Sequence, residues 1–183
     1  ICEGLVGSEM CIRDSGETGL DYKTALDVDE RQRQRVAFEH QMSLAQKYGL
    51  PVVIHTRDAE RDTLSILKRY PDVVGVLHCF TESWEMAEQA LSMGYYISIS
   101  GIVTFANAEN VREVARQVPA DRLLIETDAP WLAPVPYRGK ENEPAFVAET
   151  AKYLARLRDE HVDELAVRTG DNFSRLFLSA DGG

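Results

Sequence analysis

Four residues of metal-ligand type each end an apolar run of this chain: Glu17 in GETGLD, His55 in PVVIHTRDA, His78 in GVLHCF and Asp128 in LLIETDAP. The gaps between them are 38, 23 and 50 residues. One strand plus one helix of a β/α barrel takes roughly 25 residues. The gaps therefore read as one unit with a long loop, one unit, and two units. The ends of parallel strands are where such folds do chemistry. Histidines and carboxylates brought together from distant parts of a chain suit a catalytic divalent metal. Such a metal needs an open position for water and substrate; it acidifies that water and polarises a scissile ester. Each residue also has a plainer role open to it. A strand-end histidine can be a satisfied polar group in the packing. Asp128 suits a turn or helix cap before Ala-Pro, and Glu17 a solvated loop. His40 and His161 read as surface residues of helices.

The elements that must position these residues are legible as an alternation. A helical pattern runs from Glu30 to Tyr48, with Ala37, Phe38, Leu44, Ala45 and Tyr48 on one face and Gly49 as its stop. PVVIH (51–55) is a continuous apolar strand. Asp58 is placed to cap a helix through about Tyr70. A strand follows at 73–78, then a helix capped by Ser83 and stopped at Gly94. YYISIS (95–100) is the next strand, and Asn107 opens a helix with Val111, Val114, Ala115 and Val118 in register. A strand at 122–127 leads into a proline-rich loop over residues 128–144. Pro144 starts a helix to about Arg158, and two short helices are expected near 161–169 and 171–178. Alternation with crossovers of this length means a parallel sheet with helices outside it.

Composition narrows the function. At 183 residues the chain is one domain's worth, shorter than the roughly 250 residues of a full β/α barrel. A net charge of −10 argues against a high-affinity duplex-binding protein. It is compatible with a nuclease, since metals supply local positive charge to a phosphate. Cys2, Cys11 and Cys79 make an odd set with no C-x-x-C spacing. Cys79, next to His78 on a strand, is expected to be a buried thiol pointing away from the interior. No apolar run reaches membrane-spanning length and no signal peptide is visible, so cytoplasm is the default expectation. Residues 1–15, ICEGLVGSEMCIRDS, resemble translated adapter sequence. They read as a non-native leader, because Arg13, Asp14 and Ser15 do not suit a buried strand; residues 16–183 read as a single domain.

The motifs GETGLD, PVVIHTRDA, HCF, SISGIVTF, LLIETDAPWLAPVPYRGKENEPAFV and NFSRLF occur in that order. Together they resemble the TatD family of metal-dependent hydrolases, within the amidohydrolase-like TIM barrels, over residues 16 to about 178. The resemblance implies a parallel β/α (TIM-type) barrel, incomplete, with roughly its last five strand–helix units. It implies that Glu17 bridges two divalent metals and that His55 and His78 complete the second. Asp128 would ligate the first or take the proton of the attacking water. The family's opening H-x-H is absent: the histidines are His40, His55, His78 and His161. The implied activity is metal-activated hydrolysis of phosphodiesters at DNA ends, with Mg, Mn or Zn not distinguished. The alternatives are another amidohydrolase-type hydrolase of small phosphodiesters, esters or amides, or a fragment without activity. No membrane and no stable protein partner is implied. Arg57, Glu126, Arg138 and Lys140 are secondary candidates for substrate contact, and Glu126 shares the parity of Asp128. Phe80, Trp84, Phe105 and Trp131 lie where a base could stack, or where aromatics simply pack. The four ligand-type side chains are expected to converge at one end of the sheet, within a radius of roughly 5 Å.

Overall fold

The computed structural model describes residues 14–25 and 27–178. Five strands run in chain order and all neighbours pair in parallel: β1 (Ser15–Asp21), β2 (Val52–Arg57), β3 (Gly75–Leu77), β4 (Tyr96–Ile99) and β5 (Leu123–Ile125). The crossovers carry α1 (Val28–Tyr48), α2 (Glu60–Leu67), α3 (Trp84–Ser92) and α4 (Glu109–Gln117); α5 (Val147–Leu157) and α6 (Val162–Phe177) follow β5. Strand, helix, strand in unbroken order is the local unit of a β/α barrel. Among the described residues, no helix is long and apolar enough to cross a membrane. Most of the expected leader lies outside the described residues. Ser15, however, opens β1, its amide donating to the Pro51 carbonyl at 2.9 Å.

Side-chain alternation divides the sheet into two faces. Leu20, Val52, Ile54, Leu77, Ile97, Ile99 and Leu123 belong to the main core, with Phe38, Met86, Val114 and Leu154 of the helices packed in the same cluster. The intervening residues Val53, Val76, Tyr96 and Leu124 face the other way and meet Leu176 and Phe177 at the end of α6. Along this second face each strand changes character toward its C-terminal end. Val53 is followed two residues later by His55, Val76 by His78, and Leu124 by Glu126. The period of two thus carries the ionisable residues on the face opposite the main core.

Local chemistry sets the boundaries. Asp27 caps α1 by accepting from the Glu30 amide at 2.7 Å, and Gly49, at φ 64°, closes it in the left-handed conformation that glycine adopts without strain. Ser83 caps α3 by accepting from the Met86 amide. Several expectations are corrected. The buried stripe of α1 is Phe38, Met42 and Ala45, whereas Ala37 and Tyr48 are exposed; the i, i+4, i+7 spacing of the true stripe passes through Met42. Asp58 does not cap α2, because its backbone turns to φ 54° and its amide donates to Glu82 Oε1 at 2.8 Å. α2 ends at Leu67, short of Tyr70. Asn107 does not cap α4, whose cap position is Ala108. The two short terminal helices are one helix, α6. Gly170 costs a helix interior about 1 kcal/mol, and the buried row Leu165, Thr169, Asn172 and Leu176 carries α6 through it.

Candidate metal centre

β1 and β2 lie close enough for their ionisable side chains to share a site because of Gly19. It pairs with His55 at φ 139°, and a Cβ there would stand 1.9 Å from the His55 carbonyl oxygen. No other residue fits that approach. Glu17 and His55 therefore sit within their strands, not after them: Glu17 is third in β1 and His55 fourth in β2. His78 lies one residue past β3, Glu126 one past β5 and Asp128 three past β5.

Three of these side chains converge. Glu17 Oε1 lies 2.7 Å from His78 Nε2 and 3.1 Å from His55 Nδ1, and the two ring nitrogens are 3.3 Å apart. The three atoms lie within 4.8 Å of one another. Bonds of about 2.0–2.2 Å from nitrogen and carboxylate ligands to one ion bring neighbouring ligand atoms to roughly this separation. Two imidazoles and one carboxylate are also the donor set of hydrolytic divalent metals, so the residues fit such an ion. His78 is 11% exposed and Glu17 52%, so the group is closed on one side and open to water on the other.

Both imidazoles are backed by acids. Glu126 Oε2 stands 3.7 Å from His78 Nδ1, while its Oε1 accepts from the Cys79 amide. Burial pulls the His78 pKa down, but hydrogen bonding and charge from Glu126 and Glu17 outweigh it and raise the pKa to about 9. Asp21 Oδ2 stands 3.5 Å from His55 Nε2. Sequence reasoning missed Asp21. The available signal was its parity with Glu17 and Gly19 on the same face of β1.

Asp128 is not among the three converging residues. Its backbone turns to φ 60° and its carbonyl accepts from the Trp131 amide at 2.9 Å. Burial raises its carboxyl pKa; the charges of His78 and His55 oppose that rise and those of Glu126 and Glu17 add to it. Asp128 therefore lies within the electrostatic field of the group. Cys79 Sγ is 4.0 Å from Asp128 Oδ2 and 3.2 Å from Ser100 Oγ. The expectation that Cys79 points away from the site is corrected. β3 ends at Leu77 and Cys79 adopts φ 43°, so strand alternation no longer governs its direction. Burial raises the thiol pKa to about 12, so it is no thiolate nucleophile.

The other candidates lie farther out. Arg57 is exposed at the end of β2, where its charge acts on Glu82. Arg138 lies over the Phe105 ring at 4.1 Å. Beside it is an open cavity of about 570 Å³, lined by Phe105, Pro130, Trp131, Arg138 and Lys140 among others, with Trp131 71% exposed. Phe80 is buried packing and Trp84 is half-buried. His40 and His161 are exposed, and His161 caps α6 by accepting from the Asp163 amide.

This arrangement has counterparts among known proteins. Over 164 residues the chain is 54% identical to the "Uncharacterized metal-dependent hydrolase YcfH" of Escherichia coli K12, covering 88% of this chain and 61% of that protein. It is 40% identical over 169 residues to the "3'-5' ssDNA/RNA exonuclease TatD" of Erwinia tasmaniensis, covering 88% and 64%. The crystal structure of YJJV, a TatD homologue from E. coli K12, superposes with a TM-score of 0.83 at 33% identity, covering 91% of this chain and 64% of that one. The chain thus spans somewhat under two thirds of the length of these relatives, and its parallel sheet is a sector of their TIM-type barrel. The family described as TatD related DNase matches residues 12–178. With that match and the 54% identity, the chain belongs to the TatD family of metal-dependent hydrolases.

Proposed function

We propose that this chain belongs to a hydrolase of phosphodiester bonds that removes nucleotides from DNA ends, with Glu17, His55 and His78 as ligands of a divalent metal. The convergence of those three side chains at the C-terminal end of a parallel sheet carries the reading. A bound metal supplies Lewis acidity and a more acidic water. The chain's own residues do the rest. With an ion bound, His55 and His78 would each turn an unprotonated nitrogen to it, the metal displacing the proton that His78 keeps without it, and Glu17 would bring a negative charge from the solvent side. Asp128, its carboxyl pKa raised by burial, would ligate or accept the proton of the attacking water. Glu126 steadies His78 through Nδ1. Trp131 offers a base an exposed stacking face, and Arg138 and Lys140 offer a phosphate the nearest positive charge.

Small phosphodiesters are the second reading, favoured by the net charge of −10, which repels a long polyanion more than a small ester. An assay with end-labelled single-stranded DNA and a panel of small phosphodiesters, with Mg²⁺, Mn²⁺ or Zn²⁺ and then a chelator, separates the two. Stepwise, chelator-sensitive shortening of the DNA supports the nuclease. Turnover of the small esters alone overturns it. The chain holds one ligand set and no H-x-H, so weak turnover is expected unless the first metal's ligands are supplied. Metal binding measured directly is therefore the firmer readout.

A further inference from the structure

In its neutral form an imidazole carries one proton, and which nitrogen of His55 holds it decides whether the ring can bind a metal. Nδ1 faces Glu17 Oε1 at 3.1 Å and His78 Nε2 at 3.3 Å. Nε2 is buried, has no hydrogen-bond partner, and looks at Asp21 Oδ2 from 3.5 Å. Two carboxylates, Glu17 and Asp21, thus compete for a single proton from opposite sides of the ring.

We infer that Asp21 positions His55 for metal binding by keeping the imidazole proton on Nε2, so that Nδ1 stays bare toward Glu17 and His78. Glu17 Oε1 is already engaged by His78 Nε2 at 2.7 Å. A second N–H on His55 Nδ1 would face that N–H across 3.3 Å, donor against donor. Asp21 is also held in place. Its Oδ1 accepts from the amides of Lys23 at 3.0 Å and Thr24 at 3.1 Å. Gln34 holds its backbone on both sides, with Oε1 2.9 Å from the Asp21 amide and Nε2 3.2 Å from its carbonyl. One carboxylate oxygen is therefore spent on the turn after β1, and the other is left for His55. Carboxylates behind metal-bound histidines act in this way, and their loss commonly costs 10–100-fold in metal affinity.

The geometry makes the isosteric variant the informative one. In Asp21→Asn the turn still demands an acceptor, so the amide oxygen takes the place of Oδ1 and the NH₂ group is left facing His55 Nε2. A donor there asks Nε2 to accept, and the ring proton moves to Nδ1. The inference rests on the reading of His55 as a metal ligand, but the tautomer is measured without metal. Imidazole ¹⁵N shifts of the metal-free wild type are expected to show His55 protonated on Nε2, and those of Asp21→Asn protonated on Nδ1. Zn²⁺ titrated calorimetrically should bind Asp21→Asn 10–100-fold more weakly than wild type, at an unchanged circular dichroism spectrum. A wild-type His55 protonated on Nδ1 overturns the inference even if no variant folds. So does an Asp21→Asn chain that keeps the proton on Nε2. A wild type with the expected tautomer that fails to bind Zn²⁺ leaves Asp21's hold on the ring standing and overturns the metal reading instead.

Discussion

At the scale of single residues, His78 and His161 are opposites. His78 is nearly enclosed between Glu17 and Glu126, and His161 caps a helix in water. Under the proposed function, His78→Ala removes a ligand atom and is expected to lower Zn²⁺ affinity by orders of magnitude. His161→Ala is expected to leave affinity unchanged and to cost stability about 1 kcal/mol at most. Equal effects in a calorimetric titration would mean that the site lies elsewhere. The proton on His78 also couples stability to pH. Its pKa is raised from 6.5 to about 9 in the folded, metal-free chain. Below pH 6.5 the ring is charged in both folded and unfolded chains, and its contribution is present in full. Between 6.5 and 9 the unfolded chain releases the proton while the folded chain keeps it. Stability therefore falls as pH rises through that window, by at most about 3 kcal/mol. Urea unfolding of metal-free protein at the two ends of the window is expected to show that fall, and His78→Ala to flatten it.

At the scale of elements, the proline-rich loop after β5 is held in part by a buried residue of its own, Asn142. Asn142 Nδ2 donates to the carbonyls of Thr127 at 2.7 Å and Trp131 at 2.6 Å, and its amide donates to Pro130 at 3.0 Å. Asn142→Ala removes the side-chain donor of two part-buried carbonyls, and about 1 kcal/mol of stability is expected to go with it. Because those carbonyls flank Asp128, catalysis should fall while Zn²⁺ affinity at Glu17, His55 and His78 holds; a matched loss of both would contradict this placement. The sequence showed the strands and the caps at Ser83 and Gly49 because those signals are local. It also showed Glu17, His55 and His78 through their motifs. It hid Asp21, whose role depends on the register that sets Gly19 against His55. It hid the turn of Cys79, whose left-handed backbone ends the alternation on which the sequence argument rested. It hid the continuity of α6, since the packing that carries the helix through Gly170 comes from Leu123, Leu154 and other distant residues.

At the scale of the whole molecule, the sheet has two open sides among the described residues: β1 pairs only with β2, and β5 only with β4. Unpaired strand edges template further pairing. Light scattering across a concentration series is expected to show association, with an unfolding midpoint that moves with concentration. A monomer with a sharp, concentration-independent transition would contradict this. Among the described residues one of the two edge strands is β1, the strand that carries Glu17.

The docking of Leu176 and Phe177 beneath Val76, Tyr96 and Leu124 has a consequence for synthesis. Leu124 and Phe177 are 53 residues apart (177 − 124). At ordinary ribosome speeds the tail of α6 emerges roughly 3–10 s after β5 has been made. For that interval the growing chain presents a bare apolar floor directly under its ionisable cluster. It is then a natural client for a chaperone that shields nascent polypeptides, and the client stage ends when the last turn of α6 swings beneath the sheet.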